Sequence, residues 1–195
     1  LLLSEEHGLP LATRWDFPVS SATTVVSYSD ASREITDPAA SGYGAWSVVG
    51  ATFVYIEGRW TAQQVARFSI NVLETVPKDA GTFTFIAYAR SVGLRPTHAL
   101  AFVDNTTAEH VAENGRTTAD ALHALNLRRQ QRLVAEGVHQ ASERVTSVDN
   151  DVADLLSRGD VEGALRFPRS AGLAVLRLEP DAPMIETDSL PATWN

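Results

Sequence analysis

Four acidic residues lie at positions where, in the folded chain, they could form a cation-binding site: Asp30, Glu74, Asp104 and Asp154. Asp30 ends a β-branched run that begins at Thr23, and Asp104 ends an apolar run that begins at His98. Carboxylate oxygens are the ligands that hard divalent cations such as Mg²⁺ prefer. A site for two such ions holds them about 3.5–4 Å apart and needs bridging carboxylates, so we expect the four acids to converge.

Each acid taken alone has an ordinary structural explanation. Asp30 and Asp104 could be turn residues at the ends of strands, and Glu74 and Asp154 could be solvated helix residues. The four acids occur in the order strand, helix, strand and helix, and this combination indicates a shared cation-binding site.

Sequence patterns predict the elements that would position these acids. Hydrophobic periodicity predicts three strands, a helix, a fourth strand, further helices at 106–113 and 120–136, a fifth strand and a closing helix. Thr61 is the predicted N-cap of the first helix, which we expect to stop or bend at Pro77, with 82–91 either a second helix or its continuation. This order is typical of an α/β domain with a mixed sheet flanked by helices. We divide the chain into an N-terminal lead-in (1–22), one domain (23–168) and a C-terminal extension (169–195).

Composition excludes several classes of protein. The chain has no cysteine, which excludes disulfides, thiolate zinc sites and a cysteine nucleophile. No apolar run is long enough to span a bilayer, so we expect an intracellular protein without membrane contact. The formal net charge of −8 argues against nucleic-acid binding. A carboxylate-rich site explains part of that charge, and bound cations would reverse the local field. The missing initiator Met suggests a segment cut from a longer chain.

Four short motifs resemble one known family. Residues 28–32 and 42–46 read Y-S-D-A-S and G-Y-G-A-W, residues 70–74 read I-N-V-L-E, residues 103–108 read V-D-N-T-T-A, and residues 150–158 read N-D-V-A-D-L-L-S-R. Together they resemble the ribonuclease H domains of retrotransposon reverse transcriptases. DIRS-like (tyrosine-recombinase) elements are most similar and Ty3-like elements next. The resemblance covers residues 23–160.

This resemblance implies a fold, an activity and its partners. The fold would be ribonuclease H-like, with a five-stranded mixed sheet of three antiparallel and two parallel strands. The activity would be endonucleolytic hydrolysis of the RNA strand of RNA–DNA hybrids, with two Mg²⁺ ions that Mn²⁺ could replace. The four acids would be the catalytic metal ligands, and a polymerase domain in the same or a longer chain would be a partner.

The resemblance also suggests residues that contact substrate. Asn105 and Asn150 lie beside the acids and would form hydrogen bonds to substrate or to metal ligands. Arg128, Arg129 and Arg132 are candidates for phosphate contacts, although a solvated helix face explains them equally well.

The sequence also departs from the family. Many ribonucleases H carry a His before the final acid, where this chain has Ser-Val-Asp at 147–149. A strongly basic segment for gripping the hybrid is also missing, so we expect weak activity from the isolated domain. Two other functions stay open: an inactive ribonuclease H-fold scaffold, and a DNA nuclease of the same fold, such as a transposase or resolvase.

Overall fold

A computed structural model describes residues 23–104 and 120–191 of the chain. The lead-in 1–22, Asn105 and the predicted helix 106–113 therefore lie outside the described residues. Among the described helices, none is long and apolar enough to cross a membrane.

The strands form one mixed sheet in the order β5-β4-β1-β2-β3-β6. β1 is central, antiparallel to β2 and parallel to β4. β2 and β3 form an antiparallel hairpin, and β5 pairs with β4 in parallel. The strands are β1 (Thr24–Ser32), β2 (Gly42–Val49), β3 (Thr52–Arg59), β4 (His98–Val103), β5 (His139–Arg144) and β6 (Ala174–Arg177).

The long second helix continues through its internal proline. Pro77 removes one hydrogen-bond donor, yet the helix runs unbroken from Ile70 to Ser91 because most of its second half is buried against the sheet. The prediction that residues 82–91 continue the helix is therefore correct, and the expected stop at Pro77 is wrong. The helices are α1 (Ala62–Arg67), α2 (Ile70–Ser91), α3 (Asp120–Glu136), α4 (Asp151–Arg158), α5 (Val161–Ala164), α6 (Arg166–Ser170) and α7 (Ala182–Ile185). The predicted start is also wrong: Thr61 caps the short helix α1, and α2 begins only at Ile70 because Phe68 and Ser69 between them are extended.

Helices cover both faces of the sheet. Ala45 and Trp46 are adjacent in β2, so their side chains point to opposite faces. Ala45 belongs to the buried cluster that includes Phe83 of α2, whereas Trp46 belongs to the cluster that includes Leu156 of α4. The helix that carries Glu74 and the helix that carries Asp154 therefore pack on opposite faces of the sheet.

The prediction of five strands was one strand short. β6 lies within the predicted C-terminal extension and pairs in parallel with the outer edge of β3. All four of its residues are exposed, so its pattern carries no alternation that a sequence could reveal. What makes it a strand is the unpaired backbone edge of β3, which the chain reaches after α6.

Residues 178–191, which we call the C-terminal strap, cross the helical layer. Arg128 of α3 donates hydrogen bonds to the carbonyl oxygens of Pro183 and Glu186. Met184 and Leu190 are 3% and 1% exposed and belong to two different core clusters. The strap is thus part of the packed fold.

Replacement of Leu190 with Ala should lower the free energy of unfolding by about 2–4 kcal/mol, because it leaves a cavity in the core. Leu176→Ala on β6 is the matched control: Leu176 is 39% exposed, so the same truncation should cost under about 1 kcal/mol. Urea unfolding measures both changes. Equal losses would mean that the strap does not pack as described.

Candidate active site

Two of the predicted acids are brought together by neighbouring parallel strands. Tyr28 of β1 lies beside Phe102 of β4, and continuing that register by two residues places Asp30 beside Asp104. Because the strands are parallel, both carboxylates extend from the same end of the sheet. Asp30 is buried, at 8% exposed, and Asp104 is half-buried.

Helix α2 brings Glu74 to the same place. α1 begins with a capping box in which the Thr61 hydroxyl accepts from the Gln64 backbone N–H, and α2 follows two residues after α1 ends. One ligand atom from each of Glu74, Asp30 and Asp104 lies within 4.8 Å of the other two. Residues 30, 74 and 104 are far apart in the chain, so this convergence is produced by the tertiary fold.

The fourth predicted acid, Asp154, stands apart from this group of three. Its carboxylate accepts from Nε of Arg158 at 2.9 Å, one turn further along α4, and its side chain is 43% exposed. It remains close enough to Asp30 to act on its charge, since Asp154 is one of the causes of the raised pKa of Asp30. The structure therefore places Asp154 at the rim of the site, paired with an arginine.

Asp30 has a perturbed carboxyl group. Burial raises the pKa of Asp30 above its usual value, and the nearby Asp104 and Asp154 carboxylates raise it further. Hydrogen bonds from the Ser157 hydroxyl and the Ala31 backbone oppose the rise without cancelling it. The site therefore holds a carboxylate that water does not stabilise well and that a bound cation would stabilise.

Helix α4 packs closely on β1 and β2, and this contact places the residues of α4 beside the three acids. A Cβ at Gly44, the strand partner of Asp30, would lie 2.3 Å from the Leu156 Cβ. The missing side chain is what allows α4 to approach the strand. At the start of α4, Asn150 is 2% exposed and donates from Nδ2 to the Ser29 carbonyl oxygen at 3.1 Å.

The three arginines predicted to contact phosphate all have partners within the protein. Arg128 binds carbonyl oxygens of the strap, as described above. Arg129 is 2% exposed and its guanidinium donates to the Asn126 side chain at 2.5 Å, while Arg132 forms ion pairs with Glu136 and Asp181. Each arginine thus has a structural role, and the phosphate contact stays a prediction.

Ser157 and Arg158 contact the acids directly, but the sequence analysis did not select them as site residues, although both belong to the motif at residues 150–158. Ser157 Oγ donates to Asp30 Oδ2 at 2.6 Å. Their spacing of three and four residues from Asp154 was the available signal, since such residues share one face of a helix.

The donor set fits a hard divalent cation. Asp30, Glu74 and Asp104 offer oxygen ligands only, which suits Mg²⁺, Ca²⁺ or Mn²⁺ better than softer metals. Three carboxylates with oxygen atoms within 4.8 Å of one another repel, and a bound divalent cation would offset that repulsion.

A mixed sheet with three antiparallel strands, β4 and β5 in parallel beside β1, helices on both faces and acids at the β1 and β4 ends is a ribonuclease H-like fold. Solved structures confirm this fold. The chain is similar to ribonuclease H1 from the halophilic archaeon Halobacterium salinarum NRC-1, with 17% identity and a TM-score of 0.50 over 72% of this chain and 99% of that chain. It is also similar to LC11-RNase H1, solved in complex with an RNA/DNA hybrid, with 12% identity and a TM-score of 0.53 over 72% and 99%.

Comparisons by sequence add no family. No protein-family model matches this chain, and no curated protein matches it. At the identities above, structural similarity establishes a shared fold, and function has to be argued from the site.

Proposed function

We propose that this protein is a divalent-cation-dependent nuclease that hydrolyses the RNA strand of RNA–DNA hybrids. The observation that carries the proposal is the convergence of Asp30, Glu74 and Asp104 within 4.8 Å at the ends of two parallel strands and the side of one helix. The LC11-RNase H1 structure, which holds an RNA/DNA hybrid on the same fold, supports the choice of substrate.

In this proposal each residue has a defined task. Asp30, Glu74 and Asp104 hold the cations, with Asp30 as the buried and least hydrated ligand. Asp154 completes the site from α4, and Arg158 neutralises part of its charge. When bound, divalent cations supply a nucleophilic water and stabilise the charge that develops on the phosphate. We take Mg²⁺ as the working ion and Mn²⁺ as its substitute.

The motif resemblance extends the proposal to the origin of the chain. The Asp-Ala-Ser, I-N-V-L-E, D-N-T-T-A and A-D-L-L-S-R motifs support a domain of a retrotransposon reverse transcriptase, of the DIRS-like or Ty3-like kind. In that setting the partner is a polymerase domain that supplies hybrid affinity. A net charge of −8 on the isolated chain is consistent with such dependence.

The charge balance also favours one second function. Arg128, Arg129 and Arg132 bind partners within the protein, so these three arginines of α3 are less available for phosphate contacts, as expected of an inactive scaffold of this fold. The close grouping of Asp30, Glu74 and Asp104 favours the nuclease. Mutual repulsion of the acids costs stability, and a scaffold would gain nothing from that cost.

Replacement of Asp104 with Asn should abolish cleavage of a labelled RNA–DNA hybrid in Mg²⁺ or Mn²⁺, because it removes one charged ligand from the group of three. Asp151→Asn, an exposed acid on α4, is the matched control and should cleave like wild type. Gel analysis of hybrid, duplex DNA and single-stranded RNA in parallel measures activity and selectivity.

Each outcome separates the candidates. Hybrid-selective cleavage that Asp104→Asn loses and Asp151→Asn keeps supports the proposal. Cleavage of duplex DNA identifies a DNA nuclease of the same fold. A folded wild-type protein that cuts no substrate, even when joined to a polymerase domain, identifies the scaffold.

A further inference from the structure

The Ser157 hydroxyl makes an unusually direct contact with the proposed cation site. Ser157 is fully buried in α4, and its Oγ lies 2.6 Å from Asp30 Oδ2 and 2.9 Å from the Asp154 carbonyl oxygen. A hydroxyl carries one hydrogen, so it donates one bond at a time. The carboxylate is the stronger acceptor and the contact is the shorter one, so the hydrogen is directed at Asp30.

Ser157 is itself held in place by the sheet. Its carbonyl oxygen accepts from the Ser32 hydroxyl at 2.9 Å, and Ser32 Oγ in turn accepts from the Gly42 backbone N–H. A Cβ at Gly42 would lie 2.5 Å from the Ser157 carbonyl oxygen. The serine therefore sits on a rigid part of the helix–sheet contact, and its hydroxyl has little freedom to follow a moving carboxylate.

A fixed donor has a consequence for the geometry of Asp30. A carboxylate is planar, so a hydrogen bond at Oδ2 also sets the direction of Oδ1. Without that bond, the Ala31 backbone N–H would still donate to the carboxylate, but no side-chain hydroxyl would oppose the repulsion from Asp104 and Asp154, which acts to turn the group. A ligand that is already oriented binds a cation more tightly, because it loses less freedom on binding.

We propose that Ser157 is a positioning residue that holds the Asp30 carboxylate in its cation-binding orientation. The inference rests on the proposed cation site and adds that cation binding at Asp30 depends on a residue of α4. The helix supplies Asp154 at the rim, and through Ser157 it also controls a ligand that belongs to β1.

The test is a Mn²⁺ titration in which free Mn²⁺ is followed by electron paramagnetic resonance. Ser157→Ala should weaken Mn²⁺ binding about tenfold, the scale on which residues behind metal ligands act. Ser47→Ala is the matched control, because Ser47 is equally buried and donates to a backbone carbonyl, that of Val26, at 2.7 Å. It should leave the Mn²⁺ Kd unchanged.

The result separates this inference from the proposed function. Wild-type protein that binds no Mn²⁺ overturns the cation site itself. Wild type that binds, with a Ser157→Ala variant of native circular dichroism and the same Kd, overturns the positioning role and leaves the site intact. If Ser157→Ala does not fold, Ser157→Cys keeps the shape of the side chain, with a slightly larger atom that is a weaker donor. That variant should bind Mn²⁺ more weakly than wild type, and an equal Kd would again overturn the role.

Discussion

Replacement of Asp30 with Asn should slow hybrid cleavage by about a thousandfold or more, because bound metal supplies several kcal/mol of transition-state stabilisation. The same change should raise the melting temperature of the metal-free protein. Asp30 is buried beside Asp104 and Asp154, so its charge opposes folding, whereas an amide keeps an oxygen for the Ser157 hydroxyl. Activity and stability should therefore move in opposite directions.

The stability difference should also depend on pH, with a sign that follows from the raised pKa of Asp30. In the unfolded chain this carboxyl has its ordinary pKa of 3.8, whereas in the folded protein its pKa is higher. The contribution of Asp30 to stability is therefore fully present below the pKa of the unfolded chain and is lost as pH rises through the pKa of the folded protein. Asp30→Asn removes the loss, so its advantage over wild type should grow with pH.

Thermal unfolding in chelator from about pH 4 to about pH 8 measures this difference. Asp37→Asn, an exposed acid in the turn after β1, is the control and should match wild type in activity and in melting temperature. An Asp30→Asn protein that melts below wild type at every pH would contradict the description of Asp30 as a buried carboxylate that neighbouring negative charges destabilise.

Replacement of Gly44 with Ala should lower the free energy of unfolding by about 3 kcal/mol, the upper part of the range for overpacked cores. The added Cβ would lie 2.3 Å from the Leu156 Cβ and 2.9 Å from the Ser157 backbone nitrogen, so α4 has to move away from the sheet. That movement displaces both Ser157 and Asp154, and Mn²⁺ affinity should fall as well.

Gly50→Ala gives the comparison for this change. Gly50 has a φ of +62° and no neighbour within 4 Å of an added Cβ, so its replacement tests backbone strain alone. It should cost about 1 kcal/mol and leave Mn²⁺ affinity unchanged. Urea unfolding and the Mn²⁺ titration measure both variants. A Gly44→Ala protein as stable as Gly50→Ala would show that α4 does not lie against β2 as described.

The C-terminal strap occupies arginines of α3 that a nucleic acid bound at the proposed site could otherwise contact. Asp30 lies two residues before the end of β1 and Asp104 directly follows β4, so a cation bound between them would offset their like charges. The strap lies over α3 and binds Arg128 and Arg132. A nucleic acid that used those arginines would have to compete with the strap for them, which explains why a basic helix in the sequence does not become a basic surface.

Much of the fold could be predicted from local pattern. The β-branched run that ends at Asp30 and the apolar run before Asp104 are strands, and the predicted helix 120–136 is α3 with the same bounds. The two strands are buried on both faces, so continuous β-branched or apolar runs mark them in the sequence. The helix is buried on one side, which imposes a period of about 3.6 residues. The order of strands and helices then limits the sheet to few arrangements.

Other features depend on neighbours that are distant in sequence. Pro77 lies within a continuous helix because burial outweighs one lost hydrogen bond, and β6 is a strand because it meets an open edge. Lys78 and Asp79 look like solvated helix residues, yet both are buried and their side chains lie 3.4 Å apart. No local period encodes these outcomes.

By itself, the sequence determined which acids stand at strand and helix positions suited to cation binding, because residue type and period are local properties. Only the tertiary structure decided that Asp30, Glu74 and Asp104 meet while Asp154 pairs with Arg158 at the rim. It also decided that Ser157 faces Asp30 and that the arginines of α3 face the strap. The physical reason is that a side chain's charge and hydrogen-bonding capacity are set by its type, whereas its partners are set by the packing of elements far apart in the chain.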